Sequence, residues 1–280
     1  MPTIQCKGKK VYYETHGEGE PLVLVNGIMM SCDSWLPFKE ALSSKYKLVI
    51  FDMVDQGRSD KMSNDPPYTQ DYHVEIMKEL FDQLGFDKIH LFGISYGGEV
   101  AIKFALAHQE MLHCLILGNT PFKTTGMLRY CAQRWEDVFR SYDGVSFFRE
   151  VSQSIYAEGF YDKNSEWLKE KEQFFKQALP PEWYEGMIRM LHSGDNYDPE
   201  EDLHKITVPT LVIGGSEDRL TPPAYQRQIA AKIPNSSLVI VEGAAHVLPY
   251  EKPYAFCTLL LGFLEVCKKK ICTITFQGLT

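Results

Sequence analysis

Short apolar runs recur along the first part of the chain and again near its end. Val11–Glu14, Leu22–Val25, Leu48–Phe51, Ile89–Phe92, Leu115–Leu117, Leu211–Ile213 and Leu238–Val241 each read as a strand, with a weaker one at Thr3–Cys6. From Leu22 onward most of them are apolar at every position rather than at alternate ones. Strands covered on both faces have that pattern, and it points to a mostly parallel sheet. Between the runs, apolar residues recur at helical spacing over Trp35–Leu42, Tyr72–Leu84, Glu99–Ala107, Ala224–Lys232 and Pro253–Lys268. Strand and helix alternation predicts an α/β fold, a mostly parallel central sheet flanked by helices on both faces.

One segment breaks the rhythm. Between Pro121 and Pro199 no good strand is visible, and helical patterns follow one another over Met127–Tyr142, Gly144–Tyr156, Asn164–Gln177 and Pro181–His192. The segment is dense in large apolar groups such as Trp135, Phe139, Phe147, Trp167, Trp183 and Met190. It reads as a helical cap inserted at 121–199, with 1–120 and 200–280 forming the core domain. The β-branched run after Lys270 suggests one added strand.

Composition narrows the function classes. With 280 residues and 44% hydrophobic content, the chain can bury one large core. A net charge of −8 repels phosphate backbones, so nucleic acid is not an expected partner. The N-terminal "MPTIQCKGKK" has no apolar h-region. The apolar run Cys257–Val266 is too short to span a bilayer, so no membrane association is expected. Seven cysteines at scattered spacings, without C-x-x-C, argue for a reducing cytosol and against a disulfide framework or a zinc site. A cytoplasmic monomer or homodimer acting on a small molecule is the expectation.

The chemistry is announced by "LFGISYGGEVA". An apolar strand ends at Gly93-Ile94-Ser95-Tyr96-Gly97, and helical spacing begins directly after it. A G-x-S-x-G turn between strand and helix is a nucleophile elbow. It lifts the Ser95 hydroxyl above the strand ends, and only small neighbours fit around so tight a turn. The glycines do not spell G-x-G-x-x-G, and no G-K-[ST] follows, so dinucleotide and P-loop readings are weak.

A serine hydroxyl needs a base, and the base needs an orienting acid. In this fold they follow in the order Ser, acid, His. Of the downstream histidines, His108 and His113 are too close in sequence to return to the elbow. His192 sits in the insertion and His204 on a polar connection. His246 lies in "VEGAAHVLPYEKP", after a late strand and before the last helix, and is the candidate base. The acid should end the strand before that. "LVIGGSEDRLTPP" offers Glu217 and Asp218, and Asp218 is the choice. The other usual position, after Leu115–Leu117, holds Asn119, which carries no charge. The turn after Leu22–Val25 is Asn26-Gly27-Ile28. Gly27 allows a sharp turn that aims the Ile28 N–H at the serine, and the Tyr96 N–H completes a two-donor oxyanion hole. Asn26, Gly27 and Met29 in that loop, with Trp135, Phe139 and Met187 in the insertion, are candidate substrate contacts.

With these residues assembled, the chain from about Val11 to Val266 resembles the α/β-hydrolase superfamily in its branch with a helical cap. The resemblance rests on Asn26-Gly27, "FDMVDQGRSD", the elbow, "GGSEDRLTPP" and "GAAHVLPYEKP". It is similar to small carboxylesterases, enol-lactonases and acyl-carrier methyl ester hydrolases. The resemblance implies a serine hydrolase of an ester, thioester or lactone, with Ser95 as nucleophile, His246 as base, Asp218 as orienting acid, and no metal or organic cofactor. Two departures stand out. The family usually has His-Gly where this chain has Asn26-Gly27, and it often has Arg-Gly where this chain has Val54-Asp55, a position read as loop support. Carbon–carbon bond hydrolysis and cofactor-free lyase chemistry use the same triad, and some members of the fold only bind ligands. Haloalkane dehalogenation is disfavoured, because it uses an aspartate where Ser95 stands.

Overall fold

The computed structural model describes residues 2–63, 65–177 and 179–269. The strand expected after Lys270 lies outside them. All eight other predicted strands form. They are β1 (Thr3–Cys6), β2 (Lys9–His16), β3 (Pro21–Val25), β4 (Lys47–Phe51), β5 (Ile89–Ile94), β6 (Leu112–Gly118), β7 (Thr210–Gly215) and β8 (Ser236–Val241). They make one sheet in the order β1-β2-β4-β3-β5-β6-β7-β8. The β1/β2 and β2/β4 pairs are antiparallel and the other five are parallel.

Helices cover both faces, as the continuously apolar strands require. On the core side these are α1 (Lys39–Ser43), α2 (Gln70–Gln83) and α3 (Tyr96–His108). Five more follow β6: α4 (Gly126–Arg140), α5 (Gly144–Ile155), α6 (Glu158–Lys163), α7 (Ser165–Lys176) and α8 (Pro181–Ser193). The chain then returns to β7 and closes with α9 (Pro223–Lys232), α10 (Leu248–Glu251) and α11 (Pro253–Lys269). Successive strand residues point to opposite faces. Leu22 and Leu24 pack with Trp35, Phe38, Phe256 and Leu260, whereas Val23 and Val25 pack with Val74, Leu80, Val100 and Phe104. The second of these layers is continuous with the insertion, taking in Trp135, Phe139, Phe147, Tyr184 and Met187.

Two details differ from the sequence pattern. The stretch predicted as a helix over Trp35–Leu42 is a 3₁₀ segment, Cys32–Phe38, followed by the short α1. Pro37 lies inside that segment and has no N–H to give an α-helical ladder. The helix α6 was not predicted. It is six residues long with a glycine inside, too short to show a period, and it is held by Phe160 stacked on Tyr156 at 4.7 Å.

Glycine is required where backbones meet behind the elbow. A Cβ on Gly93 would lie 2.3 Å from the Gly97 carbonyl oxygen, whereas one on Gly262, midway along α11, would meet nothing within 4 Å. Gly93→Ala should therefore cost about 3 kcal/mol through backbone displacement. Gly262→Ala should stabilise by about 0.5–1 kcal/mol, as for any exposed helical glycine. Urea unfolding of both variants checks this, and similar shifts for the two would contradict the packing described.

Candidate active site

The carboxyl ends of β3 to β8 and the loops that follow them supply the site. At the end of β5, Ser95 takes φ 53 and ψ −124 and caps α3. Its N–H donates to the Gly118 carbonyl on β6 at 2.9 Å. Its carbonyl accepts from Gly98 N–H at 2.8 Å and from the Thr120 hydroxyl at 2.5 Å. A Cβ on Gly97 would stand 2.4 Å from the carbonyl oxygens of both Val25 and Asn26. Only glycine lets α3 start so close to the end of β3.

His246 reaches Ser95 from the loop after β8. The Ser95 hydroxyl lies 2.8 Å from His246 Nε2, and His246 Nδ1 lies 2.9 Å from Asp218 Oδ2. A carboxylate only accepts, so the imidazole proton is on Nδ1 and the Nε2 lone pair faces the serine hydroxyl. Asp218, in the loop after β7, is buried and fully engaged. Its Oδ1 accepts from the N–H groups of Leu220 and Thr221 at 2.9 and 2.8 Å. Its Oδ2 also accepts from the Thr221 hydroxyl at 2.7 Å and from Asn119 Nδ2 at 2.8 Å. Burial pushes the Asp218 carboxyl up. The facing His246 and the donors from His246, Asn119 and Thr221 outweigh that and hold it below its usual value. His192 and His204 are elsewhere, His192 against Glu136 and Asp195 and His204 against the Glu201 carbonyl.

The backbone N–H groups read as oxyanion donors are those of Ile28 and Tyr96. Neither the Ile28 N–H nor the Tyr96 N–H takes a partner among the described residues. Tyr96 N–H belongs to the first turn of α3, where the helix dipole favours negative charge. Gly27 lies against the serine, since a Cβ there would be 3.5 Å from Ser95 Cβ.

Two cavities meet at Ile28. One is lined by Ser95, Tyr96, Glu99, Trp135, Met190 and Leu220. The other is lined by Met29, Phe147, Phe148, Trp167, Val247 and Tyr250. Of the candidate substrate contacts, Trp135 and Met29 line these cavities. The four other expected contacts do not, Gly27 among them, which is in the lining of neither cavity. Phe139 and Met187 are fully buried in the packing of the insertion, Phe139 against Phe147 and Trp183. Asn26 turns away from the cavities. Its Nδ2 donates to the Phe51 carbonyl at 3.0 Å and to Gln56 Oε1 at 3.2 Å, and its Oδ1 accepts from Trp35 Nε1 at 2.7 Å. Gln56 Nε2 in turn holds the Gly27 carbonyl at 2.8 Å. Asn26 is a strut that fixes the Gly27–Ile28 turn.

Several residues that matter here escaped the sequence reading. Asn119 ends β6 and holds both Asp218 and the Ala245 carbonyl, so the strand end set aside as uncharged still serves the acid. Thr221 gives Asp218 both its N–H and its hydroxyl. Arg189, on α8, grips Asp55 through Nε at 3.0 Å and Nη2 at 2.6 Å, and Tyr68 donates to the same carboxylate. Asp55 therefore supports its loop and also anchors the insertion. No sequence spacing links positions so far apart. Among the described residues no group of three or more His, Cys, Asp or Glu is arranged to hold a metal ion. No described helix is long and apolar enough to cross a membrane. The described cysteines are all free.

Comparison with known proteins identifies the family. The family model for the alpha/beta hydrolase fold matches residues 20–253. The chain belongs to that family. It is 26% identical, over 94% of its own length and 98% of the relative's, to a protein of Azorhizobium caulinodans provisionally named carbamate hydrolase RutD. An alpha/beta hydrolase enzyme, MGS-M2, from a Medee basin deep-sea metagenome superposes with a TM-score of 0.89 at 32% identity, covering 94% of this chain and 97% of that one. The enol-lactonase of Burkholderia xenovorans shares the fold, with a TM-score of 0.84 at 22% identity over 94% of this chain and all of the other.

The hold on Asp218 has a measurable sign. A carboxyl lowered in the folded state contributes stability above its unfolded value, and that stability is lost as pH falls through the folded value. Asn119→Ala removes one donor and lets the folded value rise. It should cost about 1–3 kcal/mol at pH 7. The unfolded carboxyl is common to both proteins, so the gap should narrow below about pH 4, as pH falls through the folded value of the variant and then that of the parent. Urea unfolding across that range checks it, and a gap independent of pH would contradict it.

Proposed function

We propose that the protein hydrolyses a small carboxylic ester, thioester or lactone through an acyl-enzyme on Ser95. The observation that carries this reading is the continuous relay from Ser95 Oγ through His246 to Asp218, with links of 2.8 and 2.9 Å, beside two unpaired backbone donors.

In this mechanism Ser95 Oγ attacks the substrate carbonyl as His246 Nε2 takes its proton. The carbonyl oxygen gains the negative charge and lies between the N–H groups of Ile28 and Tyr96. Preorganised donors of this kind are worth roughly 3–4 kcal/mol each in the transition state. The tetrahedral intermediate collapses with cleavage of the bond from the carbonyl carbon to the leaving group, and the imidazolium, steadied by Asp218, gives its proton to the departing alkoxide or enolate oxygen or thiolate sulfur. Water enters, His246 deprotonates it, and collapse of the second tetrahedral intermediate frees the acid and restores Ser95. These steps call for no metal or organic cofactor. The helices of 121–199 act as a lid that keeps water from the reacting carbonyl and shapes the substrate. The lactonase likeness and the carbamate name of the Azorhizobium relative are in keeping with an acyl-transfer site.

Ser95→Ala should lower kcat for p-nitrophenyl acyl esters by about 10⁴-fold or more while leaving the urea midpoint near that of the parent. A folded variant that keeps most of its kcat would overturn the assignment.

A further inference from the structure

The cavity beside Ser95 has mostly apolar walls, interrupted by the carboxyls of Glu99 and Asp195. Glu99 lies one helical turn after Ser95 on α3 and lines the same cavity. Residues four apart on a helix are neighbours on one face, roughly 5–6 Å between Cβ atoms. Gln70, almost fully buried at the start of α2, donates from Nε2 to Glu99 Oε2 at 2.7 Å. Gly194 closes over that side, where a Cβ would stand 3.6 Å from Oε2 and 3.4 Å from Gln70 Nε2. Glu99 Oε1 has no hydrogen-bond partner among the described residues. Glu99 is half-buried, so one carboxyl oxygen is tied to α2 while the other is left accessible on a side chain that lines the cavity.

We propose that Glu99 is a specificity-determining residue whose Oε1 hydrogen-bonds a second carbonyl oxygen on the acyl arm of the substrate, several bonds from the carbonyl that Ser95 attacks. This rests on Ser95 being the nucleophile. The leaving group must face His246 Nε2 to be protonated. The cavity lined by Val247, the next residue, is therefore the leaving-group side, and the Glu99 cavity takes the acyl arm. Burial pushes the Glu99 carboxyl up to about 8, with the Gln70 donor and the charge of Lys103 working the other way without cancelling it. Arg129 and Asp195 also line the cavity, and the buried Tyr197 lies nearby. At neutral pH the group is mostly a neutral acid. Gln70 donates to Oε2, so the proton is carried on Oε1 and points to an acceptor. A ketone or similar carbonyl oxygen is acceptor-only and fits a cavity whose walls are mostly apolar.

The test compares p-nitrophenyl hexanoate with p-nitrophenyl 5-oxohexanoate. At pH 7 the parent should favour the oxo-ester in kcat/KM by about tenfold, the scale of one buried hydrogen bond. Glu99→Gln keeps a donor and should keep the preference, whereas Glu99→Leu should bring the two esters to within about twofold. In the parent the preference should fall as pH rises through about 8, and in Glu99→Gln it should not. Equal kcat/KM for the two esters in the parent overturns the Glu99 proposal without recourse to any variant, and leaves the Ser95 reading standing. A stronger preference for p-nitrophenyl 6-aminohexanoate, lost in Glu99→Gln, overturns it in favour of an ion pair. Absence of turnover together with absence of fluorophosphonate labelling overturns both readings.

Discussion

The backbone of Ser95 is the constraint on which the rest of the structure depends. A non-glycine residue at φ 53 and ψ −124 is strained, at a cost of about 1–3 kcal/mol. The surroundings hold it there by hydrogen bonds from both its N–H and its carbonyl, and by close approaches of β3, β5 and α3 that only glycines allow. The hydroxyl is thus positioned by the main chain, and its rotamer is the only freedom left to it. Met29, Asp55 and Asn119 also have positive φ, and they follow β3, β4 and β6, the strands nearest β5. Each has a task around Ser95. Met29 lines a cavity, Asp55 holds Arg189, and Asn119 holds Asp218. Unusual backbone is concentrated where the sheet opens toward the site.

The insertion is coupled to this centre at more than one point. The Ile155 carbonyl, at the end of α5, accepts from the N–H groups of His246 and Val247 at 3.0 and 3.3 Å. Glu251 accepts from the N–H groups of Ala157 and Ala245, one on each side of that junction. The Asp55–Arg189 fork adds a charged tie with the carboxylate fully buried. Breaking a buried pair by removing one partner typically costs about 3–5 kcal/mol. The histidine loop and the helices above it therefore form one hydrogen-bonded unit, and displacement of α5 would disturb the base as well as the cavity walls.

The sheet was legible because strands buried on both faces must be apolar throughout, and most of those from Leu22 onward carry that mark. Ser95, His246 and Asp218 were legible because a tight strand–helix turn and two late loops restrict which residues can stand there. The remainder depends on contacts that no local pattern encodes. Asn119 Nδ2 bridges Asp218 and Ala245 across 99 and 126 positions. Phe139 and Met187 have the same apolar character as Trp135, and only the fold decides that Trp135 faces the cavity while they fill the interior. Asn26 was read as a substrate contact from its place in the loop after β3, yet its neighbours Trp35 and Gln56 occupy its polar atoms.

The central claim is that the relay makes one hydroxyl nucleophilic. Its most direct test is to treat the folded protein with a fluorophosphonate and locate the adduct by tandem mass spectrometry of the peptides. The account expects stoichiometric modification at Ser95, with labelling slowed by orders of magnitude in His246→Ala. An unmodified Ser95, or an adduct on another residue that forms as fast without His246, would contradict it.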